Sequence, residues 1–244
     1  MVEPFPNHAV QVLTVRQDAP EVRARLDRYR ALLGPAERER ESRFHFDADR
    51  ERFVIGRALA RIQLSRYLGG DPRRWAFVTN AHGRPELVAR EGVSTFGFNV
   101  SHTRGLVAFA MARTRDVGVD VECIDRALTH DVADRFFAPA EVAALRALPE
   151  RDQARVFFDY WTLKEAYIKA RGMGLALPLR RFAFRLASPG PPSIAFDPEI
   201  DDDAQTWQFA QAWPTGRHRL AVAVRRSGTD LDVRIEDVVP QVDA

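Results

Sequence analysis

Both lysines of this 244-residue chain, Lys164 and Lys169, fall in the stretch Trp161–Ala170, and the other 34 of its 36 basic residues are arginine. An ammonium is a compact point charge on a flexible stem, whereas a guanidinium is a wide planar fork. Lysine kept in a chain that otherwise uses arginine marks a place that wants a small cation. Glu165 stands beside Lys164 and one helical turn before Lys169, so Glu165 and Lys169 share a face if the stretch is helical. The plainer reading of that pair is a solvated surface ion pair worth a few tenths of a kcal/mol.

Asp120 and Glu122 lie two apart in Val117–Glu122, which alternates as a strand, so both side chains leave the same face. Acids on one face of a strand can simply meet water. Two of them joined by a third from a packed helix would instead make an oxygen-only site for a hard cation. Mg²⁺ suits such a site, because it takes one or two carboxylates together with phosphate oxygens and water. Calcium lacks its loop here and zinc its Cys/His spacing. His102 sits with Asn99, Ser101 and Thr103 at a hairpin tip, and Arg84 follows Gly83. These residues, with Arg40 and Arg43 from the charged run Glu37–Arg43, have the donors to hold the phosphates of an anionic ligand. An ordinary surface or core histidine is the alternative for His102.

For these residues to meet, a strand and a remote helix must pack together. Arg155–Arg171 has no Pro or Gly, carries Val156, Tyr160, Leu163, Tyr167 and Ile168 at helical spacing, and stops at Gly172. Asp49–Tyr67 predicts a second long helix, and shorter helices are expected over Pro20–Leu33, 129–137 and 139–148. Strands are expected at Ala9–Val15, Trp75–Thr79, Thr95–His102, Leu106–Ala112, Val117–Glu122, Arg181–Leu186, Ser193–Phe196, Trp207–Trp213 and Arg219–Arg226. Thr95–His102 and Leu106–Ala112 form a hairpin through Thr103-Arg104-Gly105. Asp201–Asp203 reads as a loop. The expected class is α+β (two-layer α/β), with two similar, pseudo-twofold halves, 1–112 and 113–244. Each is a small, mainly antiparallel sheet against a long helix.

With 45% hydrophobic and 29% charged residues the composition is that of a soluble globular protein. A net charge of +2 at a pI near 9.0 is too weak a bias to argue for nucleic acid. A single cysteine, Cys123, excludes an intrachain disulfide. The opening residues lack a basic region followed by an apolar run, and no apolar stretch nears the ~20 residues of a membrane helix. A cytoplasmic protein without membrane or nucleic-acid partners is expected.

Taken together, Val117–Glu122, the helical residues after it and Trp161–Lys169 look like the two signature motifs of the 4′-phosphopantetheinyl transferase superfamily. Gly83–Pro85 and Phe98–His102 resemble two further motifs of its surfactin-synthetase (Sfp) type, as do Asp134–Glu141 and Gly172–Pro178. The motifs occur in order, the resemblance runs from about Gly34 to Arg226, and the length fits the double-size monomeric subgroup rather than the half-size trimeric synthases.

The resemblance implies that Asp120, Glu122 and Glu165 surround Mg²⁺, with Mn²⁺ as a substitute, at the diphosphate of coenzyme A. It implies that His102 and Lys169 bind phosphates of that substrate with Ser101 and Lys164 nearby. Arg84 takes the place of a Lys or Arg near the adenine and 3′-phosphate, and Arg40 that of a phosphate-binding Lys. Glu37 departs from the pattern, falling where a relative can carry a basic residue. On this basis 1–112 holds the adenine and phosphate side, and 113–244 the metal and catalytic motifs. The implied reaction moves 4′-phosphopantetheine from coenzyme A to a serine of an apo acyl, peptidyl or aryl carrier protein and releases 3′,5′-adenosine bisphosphate. Glu165 would take the serine proton and Lys169 would stabilise the leaving group. The carrier would be acidic and helical, met by a face of Asp125–Leu148 that offers Phe136, Phe137, Leu145, Arg126, Arg135 and Arg146. Two rivals remain from the residues alone: a Mg²⁺-dependent nucleotide phosphohydrolase, and an arginine-rich nucleic-acid-binding module, which the balanced charge disfavours.

Overall fold

Apolar residues alternate along the central strands and divide them between separate cores. The computed structural model describes residues 2–88, 95–125, 131–187 and 189–242. In chain order the elements are β1 (Ala9–Arg16), α1 (Pro20–Arg23), α2 (Leu26–Ala31), α3 (Pro35–Ser42), α4 (Asp47–Leu68), β2 (Phe77–Thr79), β3 (Pro85–Leu87), β4 (Gly97–Thr103), β5 (Leu106–Ala112) and β6 (Val117–Cys123). They continue with α5 (Asp131–Phe136), α6 (Pro139–Arg146), α7 (Glu150–Arg171), β7 (Phe182–Arg185), β8 (Ser193–Phe196), β9 (Trp207–Thr215), β10 (His218–Arg225) and β11 (Asp232–Asp237).

One sheet runs β11-β1-β5-β4 and another β6-β10-β9, with short ribbons β2-β3 and β7-β8 beside them. On β5, Val107, Phe109 and Met111 pack toward α4, while Leu106, Ala108, Ala110 and Ala112 face the second sheet. On β10, Leu220, Val222 and Val224 share that middle core, whereas Ala221 and Ala223 pack toward α7. The order is therefore helix, sheet, sheet, helix. The expected α+β class, with small, mainly antiparallel sheets each lined by a long helix, is the one found.

The structure departs from the sequence reading at several places. β11 follows the boundary at 113 yet pairs in parallel with β1, from Ala9↔Asp232 to Thr14↔Asp237, so the N-terminal sheet borrows a strand from beyond it. Pro20–Leu33 is two short helices, because the chain tightens at Arg25, whose N–H bonds Val22 O rather than continuing the α pattern. The charged run is helix α3, with Pro35 at its first position and Glu37 accepting the Gly34 N–H at 2.9 Å. Trp75 precedes β2, whose partner β3 falls in residues for which no strand was expected. The first residues of the helix expected over 129–137 lie outside the described residues.

Gly118 fixes how α7 sits on its sheet. A Cβ there would lie 2.1 Å from Ala166 O and 2.5 Å from Ala170 N, so helix and strand backbones touch. That contact lays one face of α7 along the β6 residues that carry Asp120 and Glu122.

Candidate active site

Asp120 and Glu122 leave β6 toward α7, as their strand spacing requires. The Lys169 ammonium lies 2.6 Å from Asp120 Oδ1 and 2.9 Å from Ser101 Oγ. Two helical turns earlier, the Trp161 indole N–H donates to Glu122 Oε1 at 3.2 Å. Strand and helix therefore run in opposite senses, with Trp161 opposite Glu122 and Lys169 opposite Asp120. Glu165 lies midway between Trp161 and Lys169 on the same helical face, half-buried, which sets three carboxylates along one seam. Asp120 is 4% exposed, and its Oδ2 is buried with no hydrogen-bond partner.

Among the described residues no three His, Cys, Asp or Glu side chains form a ready-made metal cluster. The donor set nonetheless fits a hard divalent cation. It is all oxygen, and the orphaned Oδ2 is a buried acceptor that a cation would satisfy.

On the opposite face of β4 from Ser101, His102 borders a cavity of about 170 Å³ lined by Arg40, Phe53, Arg57, Gly83 and Pro85, among others. Arg40 and Arg57 both lie over the Phe53 ring, at 5.5 and 5.4 Å from its centroid. Glu37 pairs with Arg61 at 2.6 Å and stands 3.7 Å from Arg57. Burial, then the charges of Arg40 and Arg61, holds the Arg57 guanidinium below its usual pKa, against the pull of Glu37. His102 is also lowered, by desolvation first and then by Arg52 and Lys169. An excess of positive charge in a lined hollow calls for an anion.

Residues 116–223 match the family model described as the 4′-phosphopantetheinyl transferase superfamily, and residues 20–114 the one described as 4′-phosphopantetheinyl transferase, N-terminal. A holo-[acyl-carrier-protein] synthase structure from Thermotoga maritima aligns with 46% of this chain and 62% of its own, at 23% identity and a TM-score of 0.37. The chain is 30% identical over 185 residues to the 4′-phosphopantetheinyl transferase Sfp of Bacillus subtilis, covering 76% of this chain and 80% of that one. It is 34% identical over 220 residues to the 4′-phosphopantetheinyl transferase HetI of Nostoc sp., covering 90% and 89%. The chain belongs to the 4′-phosphopantetheinyl transferase superfamily.

In this transferase three expected site residues serve other ends. Lys164 does not join Lys169 beside Asp120. Its side chain is 0% exposed, and its three protons go to Glu141 Oε2 at 2.8 Å, Leu179 O at 2.8 Å and Phe182 O at 2.7 Å. It lies five residues before Lys169, on the other side of α7, facing α6 and β7. Ser101 is 6% exposed and bonds Asp120, Lys169 and the Val121 N–H rather than opening toward a phosphate. Arg84 donates its fork to the carbonyls of Lys169, Ala170, Arg115 and Val117. With Asn80, which bonds Gly172 O at 2.9 Å, it covers the C-terminal end of α7, where a cation suits the helix dipole.

The residues expected to form a carrier-docking face are likewise only partly exposed. Phe137 and Leu145 are buried in the core, Arg146 is held by Asp134, and Arg126 lies outside the described residues. Arg135 and Phe136 remain, beside a hollow of about 450 Å³ that Leu177, Leu179, Arg180 and Arg181 complete.

The sequence reading missed Arg57 and the indole of Trp161. Gly56 was the available signal for Arg57. A glycine inside a long helix marks a close approach, and its missing Cβ would stand 3.0 Å from Val100 Cγ1. Trp161 had no comparable mark.

Proposed function

We propose that this transferase moves 4′-phosphopantetheine from coenzyme A to a serine hydroxyl of an apo carrier protein, with a divalent cation, releasing 3′,5′-adenosine bisphosphate. The observation that carries the reading is the Lys169–Asp120 pair. It joins helix and strand at 2.6 Å, beside an unpartnered buried carboxylate oxygen.

Asp120, Glu122 and Glu165 are the residues that would hold Mg²⁺, or Mn²⁺ in its place. Such an ion, when bound, neutralises negative charge on a diphosphate. Lys169 is 28% exposed at its side chain, unlike Lys164, so its ammonium reaches both Asp120 and a ligand above it. It meets the diphosphate and stabilises the charge that gathers on the departing bisphosphate oxygen. The serine oxygen attacks the β-phosphorus, the bond to the bridging oxygen breaks, and that oxygen leaves with the electron pair. Glu165 takes the serine proton, directly or through water, and acts as a base because it is held close rather than because it is strong. Arg40, Arg57 and His102 bind the phosphates of the nucleotide end, and Arg84 supports that end indirectly by fixing the terminus of α7. Arg135, Phe136 and the hollow beside them receive the carrier, whose acidic helix suits a basic rim around an apolar floor.

The test mixes the protein with coenzyme A, Mg²⁺ and several apo carriers and reads intact masses. A carrier that gains a phosphopantetheine arm, with the gain lost in Asp120→Ala, supports the reading. Coenzyme A cleaved with no gain on any carrier overturns it in favour of a phosphohydrolase.

A further inference from the structure

β4 and β6 lie side by side without a backbone ladder. Alternate side chains of β4 take its place. Asn99 Oδ1 accepts the Val119 N–H at 3.0 Å, Ser101 Oγ the Val121 N–H at 3.3 Å, and Thr103 Oγ1 the Cys123 N–H at 3.2 Å. Each bond spans 20 positions, so the three form one regular series. The β6 residue just before each of these N–H groups is Gly118, Asp120 and Glu122 in turn. Gly118 has no side chain because α7 backbone occupies its place. The other two are the acids of the site.

A hydroxyl has one proton to give and two lone pairs with which to accept. Ser101 Oγ accepts from Val121 N and from Lys169 Nζ, so its proton goes to Asp120 Oδ1 at 3.0 Å. Thr103 Oγ1 accepts from Cys123 N, which turns its proton to Glu122 Oε2 at 3.4 Å. Trp161 holds the other oxygen of Glu122 from α7, stacked on Phe157 with ring centroids 5.8 Å apart and planes 12° from parallel. Each β4 hydroxyl is thus oriented by the backbone of β6 and aims a donor at the preceding carboxylate.

We propose that Ser101 and Thr103 are positioning residues, which set the two β6 carboxylates for the divalent cation through hydroxyls whose direction the seam between the halves dictates. The proposal rests on the reading of Asp120 and Glu122 as cation ligands. A merely adhesive role for the seam predicts loss of stability alone. A positioning role predicts loss of cation affinity, in keeping with the general weight of groups that hold metal ligands in place.

Thr103→Val keeps the shape and removes the hydroxyl, and Thr103→Ser restores it. Mn²⁺ is titrated against each protein with saturating coenzyme A, following free Mn²⁺ by electron paramagnetic resonance. Coenzyme A binding without metal and thermal unfolding are measured in parallel. Thr103→Val is expected to weaken Mn²⁺ roughly tenfold, with Thr103→Ser and metal-free coenzyme A binding within about twofold of the parent protein. Unchanged Mn²⁺ affinity in Thr103→Val overturns the proposal. So does a parallel fall of Mn²⁺ affinity, coenzyme A affinity and melting temperature that serine does not rescue. If the parent protein itself holds no Mn²⁺ and transfers nothing, the reading of the site fails, and the proposal with it.

Discussion

Lys164 and Lys169 ride the same helix five residues apart and sit in opposite environments. Lys164 is sealed with Glu141, both side chains 0% exposed, and each of its protons has an acceptor. Lys169 faces Asp120 at a similar distance, yet its side chain is 28% exposed and Asp120 keeps one oxygen without a partner. Burial lowers the Lys164 pKa to about 8 and raises that of Glu141, so desolvation outweighs their attraction. The closed pair has no place for a further ligand and holds α6, α7 and β7 together. The open pair is short of contacts that a ligand can supply. A scarce residue type marked both places, but only the surroundings separate architecture from chemistry.

The contrast can be broken from either side. Asp120→Ala, on the open side, should lower transfer on the order of 10³-fold, read by mass gain on a carrier, while far-ultraviolet circular dichroism stays unchanged. Lys164→Ala, on the closed side, should cost about 3 kcal/mol or more in denaturant unfolding, because Glu141 is left buried and uncompensated. Its coenzyme A affinity in the folded fraction should not move.

Arginine in place of lysine sharpens the difference. Lys169→Arg should fold and lose about a hundredfold in kcat, since a fork cannot take a point-charge position between Asp120 and Ser101. Lys164→Arg should instead unfold at lower denaturant. In the arginine-lined cavity, Arg57→Ala should weaken coenzyme A roughly tenfold by calorimetry.

The smallest effect is a pH slope. Between about pH 8, where folded Lys164 releases its proton, and the ordinary 10.5, the unfolded chain holds a proton that the folded chain has lost. Stability therefore rises with pH across that window. Unfolding free energies of the Lys164→Met/Glu141→Gln double variant should lack this rise.

Periodicity made the two long helices and most strands legible, and strand spacing put Asp120 and Glu122 on one face before any coordinates. Gly172 was legible as the end of α7, and it adopts the left-handed conformation there, at φ 64°. What stayed hidden depends on contacts between distant segments. The polar group Asn99, Ser101 and Thr103 looked like a phosphate cradle because hydroxyls and amides suit phosphates and backbone alike. Only the pairing with β6 decides which they serve. Arg84 looked free for the same reason, until its fork met the end of α7. β11 escaped notice because Asp232–Asp237 is too polar to announce a strand, and its place is set by β1.

That last pairing bears on how the protein is made. Thr14 and Asp237 are 223 positions apart, yet they sit side by side across β1 and β11, and Tyr29 reaches the carbonyl of Pro240 at 2.8 Å. On the ribosome, β1 emerges long before its parallel partner β11. Until β11 follows, the nascent N-terminal half carries an unpaired strand flank open to wrong partners, which only the arriving β11 can cover.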